Sequence, residues 1–153
     1  MPNKLSEHFT EEELIVSQTA ARHGIDNSPS PAIQTNLVRL AGILEEVRAL
    51  LGGLPVLVSS GYRCLKLNQA IGGSKTSAHM EGLAVDFTAP AFGSPLEVAR
   101  RIAASGIEYD QLIYEYGNWV HIGLAREGAT RRNEQLSIFR GTGYIKGIMA
   151  SPA

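Results

Sequence analysis

The stretch Ser77-Ala78-His79-Met80-Glu81-Gly82-Leu83-Ala84-Val85-Asp86-Phe87-Thr88 marks the point where the chain changes from helical to β-rich patterning. Its second half, Leu83 to Thr88, is short and largely apolar, with the composition of a strand in which alternate residues share a face. Ala84, Asp86 and Thr88 then lie on one side, and Val85 and Phe87 on the other. An aspartate between Val85 and Phe87 is costly to bury unless a positive group pairs with it. Further strands are expected at Pro55 to Ser60, Tyr109 to Tyr116 and Trp119 to Leu124, and the last of these carries His121 between Val120 and Ile122.

Upstream, helical signals dominate. Thr10 and Glu13 form a capping box that opens a helix predicted from about Glu11 to His23, with Gly24 as its stop. Ser30-Pro31 is an N-cap followed by proline at the first helical position. From there Ile33, Leu37, Leu40, Leu44, Val47 and Leu51 form one apolar stripe that runs to Gly52-Gly53. A third helix, between the second and third strands, starts at Ser94-Pro95-Leu96-Glu97, continues through Ile102 and closes near Gly106. A last hairpin is expected around Leu136 to Ile145, with a loose C-terminal end. The class is α+β, a small, mostly antiparallel sheet with helices packed on one face.

The 153 residues suit a single domain spanning 1–153. With 44% hydrophobic and 19% charged residues, the composition is that of a soluble globular protein. A formal net charge of -1 gives no positive field for general nucleic-acid binding. The lone Cys64 cannot form an internal disulfide and is read as a small packing residue. The N-terminus shows no apolar signal region and no segment is long enough to insert in a membrane, so synthesis in the cytoplasm without an export signal is expected. His8 and His23 are read as surface or packing residues, and a monomer is expected.

His79, Asp86 and His121 stand apart, because one metal ion would account for a histidine and an aspartate on two apolar strands. Zinc binds imidazole nitrogen and carboxylate oxygen, and catalytic sites use three protein ligands with a fourth position left for water. Taken singly, His79 reads as a polar loop residue, Asp86 as a partner for Arg63, and His121 as a satisfied core histidine.

The stretch from Ser77 to Asp86 resembles the S-x-H-x-x-G-x-A-x-D motif of the M15 zinc peptidases, the D-Ala-D-Ala carboxypeptidase and L-Ala-D-Glu endopeptidase group. Trp119-Val120-His121 resembles that family's W-x-H element, and Ser60-Gly61-Tyr62-Arg63 its S-G-Y-R. The opening Leu5 to Thr10 is similar to a phage and prophage endolysin subgroup. The resemblance implies a Hedgehog/D-Ala-D-Ala peptidase-like fold, Zn2+ held by His79, Asp86 and His121, and a peptidoglycan stem peptide as substrate. It also implies that Arg63 holds a substrate carbonyl or carboxylate and that Ser77 offers a substrate-facing hydroxyl. Lysis from a phage or prophage, with action in the periplasm or cell wall after release, follows from the same likeness.

One position departs from the family. Many members place Asp or Glu three residues before the second histidine as general base, and here that residue is Asn118. Glu115 is the nearest carboxylate, and hairpin parity decides whether it can substitute. A two-residue turn at Gly117-Asn118 pairs Glu115 with Val120 and turns it away from His121. A three-residue loop at Tyr116-Gly117-Asn118 pairs Glu115 with Trp119 and Ile113 with His121, placing Glu115 on the metal face. Glu115 is therefore the candidate base, ahead of Glu81, and Gln111 shares its parity as a candidate substrate-binding residue. The alternatives are a zinc-bearing cell-wall-binding module without turnover and a small D-Ala-D-Ala dipeptidase.

Overall fold

The computed structural model describes residues 3–151. Three helices come first: α1 (Glu11–Ile15), α2 (Gln18–His23) and α3 (Pro31–Leu50). Strand β1 (Leu57–Ser60) leads to α4 (Leu65–Ala70), a 3-10 helix at Ala78–Glu81 and β2 (Ala84–Thr88). Then come α5 (Pro95–Ala103), β3 (Gln111–Glu115), β4 (Trp119–Gly123), β5 (Glu134–Ile138) and β6 (Ile145–Lys146). The caps act as their sequences dictate: Ser30 and Ser94 each accept the backbone N–H three residues on, and Thr10 with Glu13 forms the reciprocal box.

The expected single helix from Glu11 to His23 is two helices. Val16 is extended between them, and Ser17 recaps the chain by accepting the Ala20 N–H. The reason is tertiary. The Leu14 carbonyl accepts from the Tyr62 N–H at 2.7 Å, and the Ile15 carbonyl accepts from Asn27 Nδ2 at 2.7 Å. Those carbonyls would otherwise serve the next helical turn.

The six strands lie in the order β1-β2-β4-β3-β5-β6. All neighbours are antiparallel except β3 and β5, which run parallel, so the sheet is mixed rather than simply a meander. A crossover is required because the chain between β4 and β5 returns to the far side of β3 in β3's own direction. The expected last hairpin is present as β5 and β6.

Register sorts the two faces of the sheet. Val85 is opposite Ile122, Phe87 opposite Val120, Leu112 opposite Ile122 and Tyr114 opposite Val120. These residues join Leu37, Leu40, Leu44 and Val47 of α3 and Val98 and Ile102 of α5 in the buried core. At about 25 cal/mol per Å² of apolar area buried, this side of the sheet drives folding. The other face carries Asp86 opposite His121, His121 opposite Ile113, and Glu115 opposite Trp119. That second face is where chemistry-bearing residues collect.

Candidate metal centre

His79 is positioned by the 3-10 helix. The Ser77 hydroxyl accepts the His79 N–H at 3.2 Å, and Gly82, at φ 70°, ends the turn. A side chain at Gly82 would be strained by that left-handed backbone and would meet Ile33 Cγ2 at 3.0 Å. The buried imidazole lies with Nδ1 2.8 Å from the Gly61 carbonyl oxygen. A carbonyl only accepts, so Nδ1 carries the proton and Nε2 presents a lone pair.

That lone pair faces Asp86 Oδ1 at 3.4 Å, and His121 Nδ1 lies 3.0 Å from the same oxygen. The two rings meet nearly edge to face, with centroids 5.1 Å apart. One donor atom from each of His79, Asp86 and His121 falls within 4.8 Å of the other two. Burial opposes the charge of Asp86, yet the hydrogen bond with His121 holds its carboxyl well below the usual carboxylate range. Burial lowers the basicity of His79 more than Asp86 raises it, which favours the neutral imidazole. A neutral nitrogen lone pair aimed at a carboxylate oxygen is repulsive unless a cation lies between them. The donor set therefore fits a divalent metal, with nitrogen and oxygen ligands of the kind zinc takes.

Glu115 occupies the metal face. The β3–β4 register pairs Glu115 with Trp119 and Ile113 with His121, the arrangement of the three-residue loop. Tyr116 and Gly117 adopt positive φ in that loop, and the Asn118 N–H donates to the Glu115 carbonyl at 3.0 Å. The Trp119 indole N–H donates to Glu115 Oε2. Burial raises the proton affinity of Glu115, and the charge of Asp86 adds to it against the opposing pull of His121, the Trp119 hydrogen bond and Arg63. A carboxylate whose proton affinity is raised is a better base than an ordinary exposed one. Asn118 is exposed in the loop.

Arg63 lines the same cleft as His79, Asp86, Glu115 and His121, a space of about 960 Å³. It does not pair with Asp86. Its Nη1 lies 3.4 Å from Asn68 Oδ1, and its buried Nε has no partner among the described residues. Burial lowers its basicity, while the charges of Asp86 and Glu115 oppose that shift. Arg63 lines the cleft, and a guanidinium there offers a planar fork of donors to a substrate oxygen. Ser77 and Gln111 also line the cleft, but both have protein partners: Ser77 accepts from His79, and Gln111 Nε2 donates to Glu134 Oε1 at 2.7 Å. Glu81 pairs instead with exposed Arg126 at 2.6 Å and does not line the cleft. His8 binds Glu45 at 2.7 Å on the protein surface.

Several supporting residues carried no sequence signal. Asn27 Nδ2 donates to the carbonyls of Ile15 and Tyr62, and its Oδ1 accepts from the Cys64 N–H, so one buried amide clamps the Gly61 to Cys64 segment. Trp119 was visible only as part of a motif, not as the partner of Glu115. The C-terminal segment adds Arg132, Glu134, Tyr144 and Lys146 to the cleft wall.

Fold and site together define a class: a mixed-sheet α+β domain with a three-donor group able to hold a metal at the floor of an open cleft. The family model described as Peptidase M15 matches residues 7–123, more than half of the chain, and the chain belongs to that family of peptidases. The match spans the whole donor set and ends with β4, so β5 and β6 lie beyond it. No curated protein matches the chain.

Proposed function

We propose that this chain is a zinc-dependent peptidase that hydrolyses an amide bond in the peptidoglycan stem peptide, working in phage or prophage lysis. The observation that carries the reading is the His79 Nε2 lone pair facing Asp86 Oδ1 at 3.4 Å, with His121 Nδ1 on the same oxygen, at the floor of a cleft. His79, Asp86 and His121 would hold the metal, which when bound supplies a Lewis acid for the scissile carbonyl and lowers the pKa of an attacking water. Gly61 keeps His79 in the tautomer that ligation needs, through the Nδ1–H to carbonyl bond.

Glu115 takes the proton from water, a task that Asn118 cannot perform, and Trp119 holds its carboxylate in place. Arg63, on the cleft wall, donates to the substrate oxygen on which negative charge develops. Ser77 and Gln111 border the bound peptide. The test is mass spectrometry of muropeptides incubated with zinc-loaded protein, a chelated control and Glu115→Gln. Zinc-dependent new termini are expected, with turnover down by about 100- to 10,000-fold in Glu115→Gln while zinc stays bound. Full activity of Glu115→Gln would remove Glu115 as the base. Absence of products with zinc still bound would favour the wall-binding module.

A further inference from the structure

We propose that the hollow beside the cleft, behind Tyr116 and Trp119, is a saccharide subsite for an N-acetylated hexosamine attached to the peptide. The inference rests on the peptidoglycan reading above and extends it. The hollow measures about 560 Å³ and is lined by Tyr116, Asn118, Trp119, Phe139 and Arg140 among others. Tyr116 and Trp119 line the cleft as well, so this aromatic pair is the shared wall of the two spaces. Their ring centroids are 5.6 Å apart at 51°.

Three observations point to a sugar. A pyranose offers a C–H face and a rim of hydroxyl and acetamide groups, so it needs flat aromatic surface beside planar donors and acceptors. The hollow offers aromatic surface from Tyr116 and Trp119, together with the exposed amide of Asn118 and guanidinium of Arg140, neither of which has a side-chain hydrogen bond or ion pair among the described residues. Second, Tyr116 stays 44% exposed although it is a large aromatic. Third, it stands at φ 56° in a turn position that Asn or Gly fills with less strain. A strained, exposed ring beside an active-site cleft is better explained by a ligand it meets than by packing.

The placement also bears on which bond is cut. Trp119 contributes to the wall of the hollow and donates to Glu115, so a sugar seated there is one side chain away from the base. The glycan is joined to the first residue of the stem, whereas the terminal D-Ala lies several residues of about 3.3–3.6 Å further on. Of the two bonds in the proposed reading, the L-Ala-D-Glu bond is therefore the one that a seated sugar brings nearer the base.

The experiment compares kcat/KM for a muramyl peptide with that for the same peptide lacking the sugar, in wild type, Tyr116→Asn and Arg140→Ala. Asn tolerates the left-handed turn, and a ratio cancels any common loss of activity. The wild type should prefer the sugar-bearing substrate by about tenfold, and each variant should lose roughly three- to tenfold of that preference, the range of one aromatic or polar contact. Equal cleavage of both substrates by wild type, or an unchanged preference in both variants, would overturn the proposal. An NMR titration of the Trp119 indole N–H with N-acetylmuramic acid separates this from failure of the peptidase reading. A saturable shift lost in Tyr116→Asn upholds the subsite even if neither substrate is cut, and no shift rejects it.

Discussion

Gly61→Ala is expected to damage both the fold and the metal centre, through a single methyl group. A Cβ built at Gly61 would lie 2.2 Å from the Leu14 carbonyl oxygen and 2.9 Å from its carbon. Ordinary nonbonded contact is wider, so α1 and the segment after β1 must part by about 1 Å. The obstacle is backbone, which cannot rotate aside as a side-chain tip can. Overpacking of this kind costs ~1–3 kcal/mol, and loosening the Tyr62 N–H to Leu14 carbonyl bond adds ~1 kcal/mol. For a chain of this length the total corresponds to a fall in Tm of roughly 5–15 °C. Because the Gly61 carbonyl also accepts from His79 Nδ1, zinc affinity should fall by about 10- to 100-fold, as for other partners that orient metal ligands. Thermal unfolding followed by circular dichroism, with zinc titration against a competing chelator, measures both. The reasoning would be refuted by a variant that melts within about 1 °C of wild type and binds zinc equally well.

Gly42→Ala should act in the opposite direction. Gly42 lies within α3 with nothing within 4 Å of its added Cβ, so the lower backbone entropy of alanine should stabilise by ~1 kcal/mol and raise Tm by roughly 2–4 °C. Zinc removal should lower Tm by about 5–10 °C when the metal was present at ~100 times its Kd, and Asp86→Asn should abolish that response in the same scans. Glu45 supplies an acid-sensitive link to the N-terminal segment: burial opposes its charge, but hydrogen bonds from Ser6 and His8 hold its pKa down to about 2 from an ordinary 4.5. Its contribution is full above pH 4.5 and is lost as pH falls through about 2. Solvent screening limits the effect to roughly 1 kcal/mol, so the Tm gap between wild type and Glu45→Gln should close across that window.

The sequence by itself determined the parts of this protein that depend on neighbours in the chain. Ser30, Ser94 and the Thr10-Glu13 box set helix starts, since a cap needs only the next three residues. Period two put Asp86 and His121 on faces opposite the apolar residues beside them, and a three-residue loop was one of two parities open to Glu115. Which parity holds was decided in three dimensions, where the Tyr116 N–H donates to Ile138 of β5 and stabilises that turn. The break at Val16, the parallel pairing of β3 with β5, the Gly61 carbonyl on His79 and the Asn27 clamp were likewise outside local reading. Each joins groups distant along the chain, and a hydrogen bond or a close approach of that kind leaves no periodicity in the residues that make it. Only the tertiary structure brings the tautomer of His79, the orientation of Glu115 and the donor of Arg63 to one cleft, because each is held by the shape of what surrounds it.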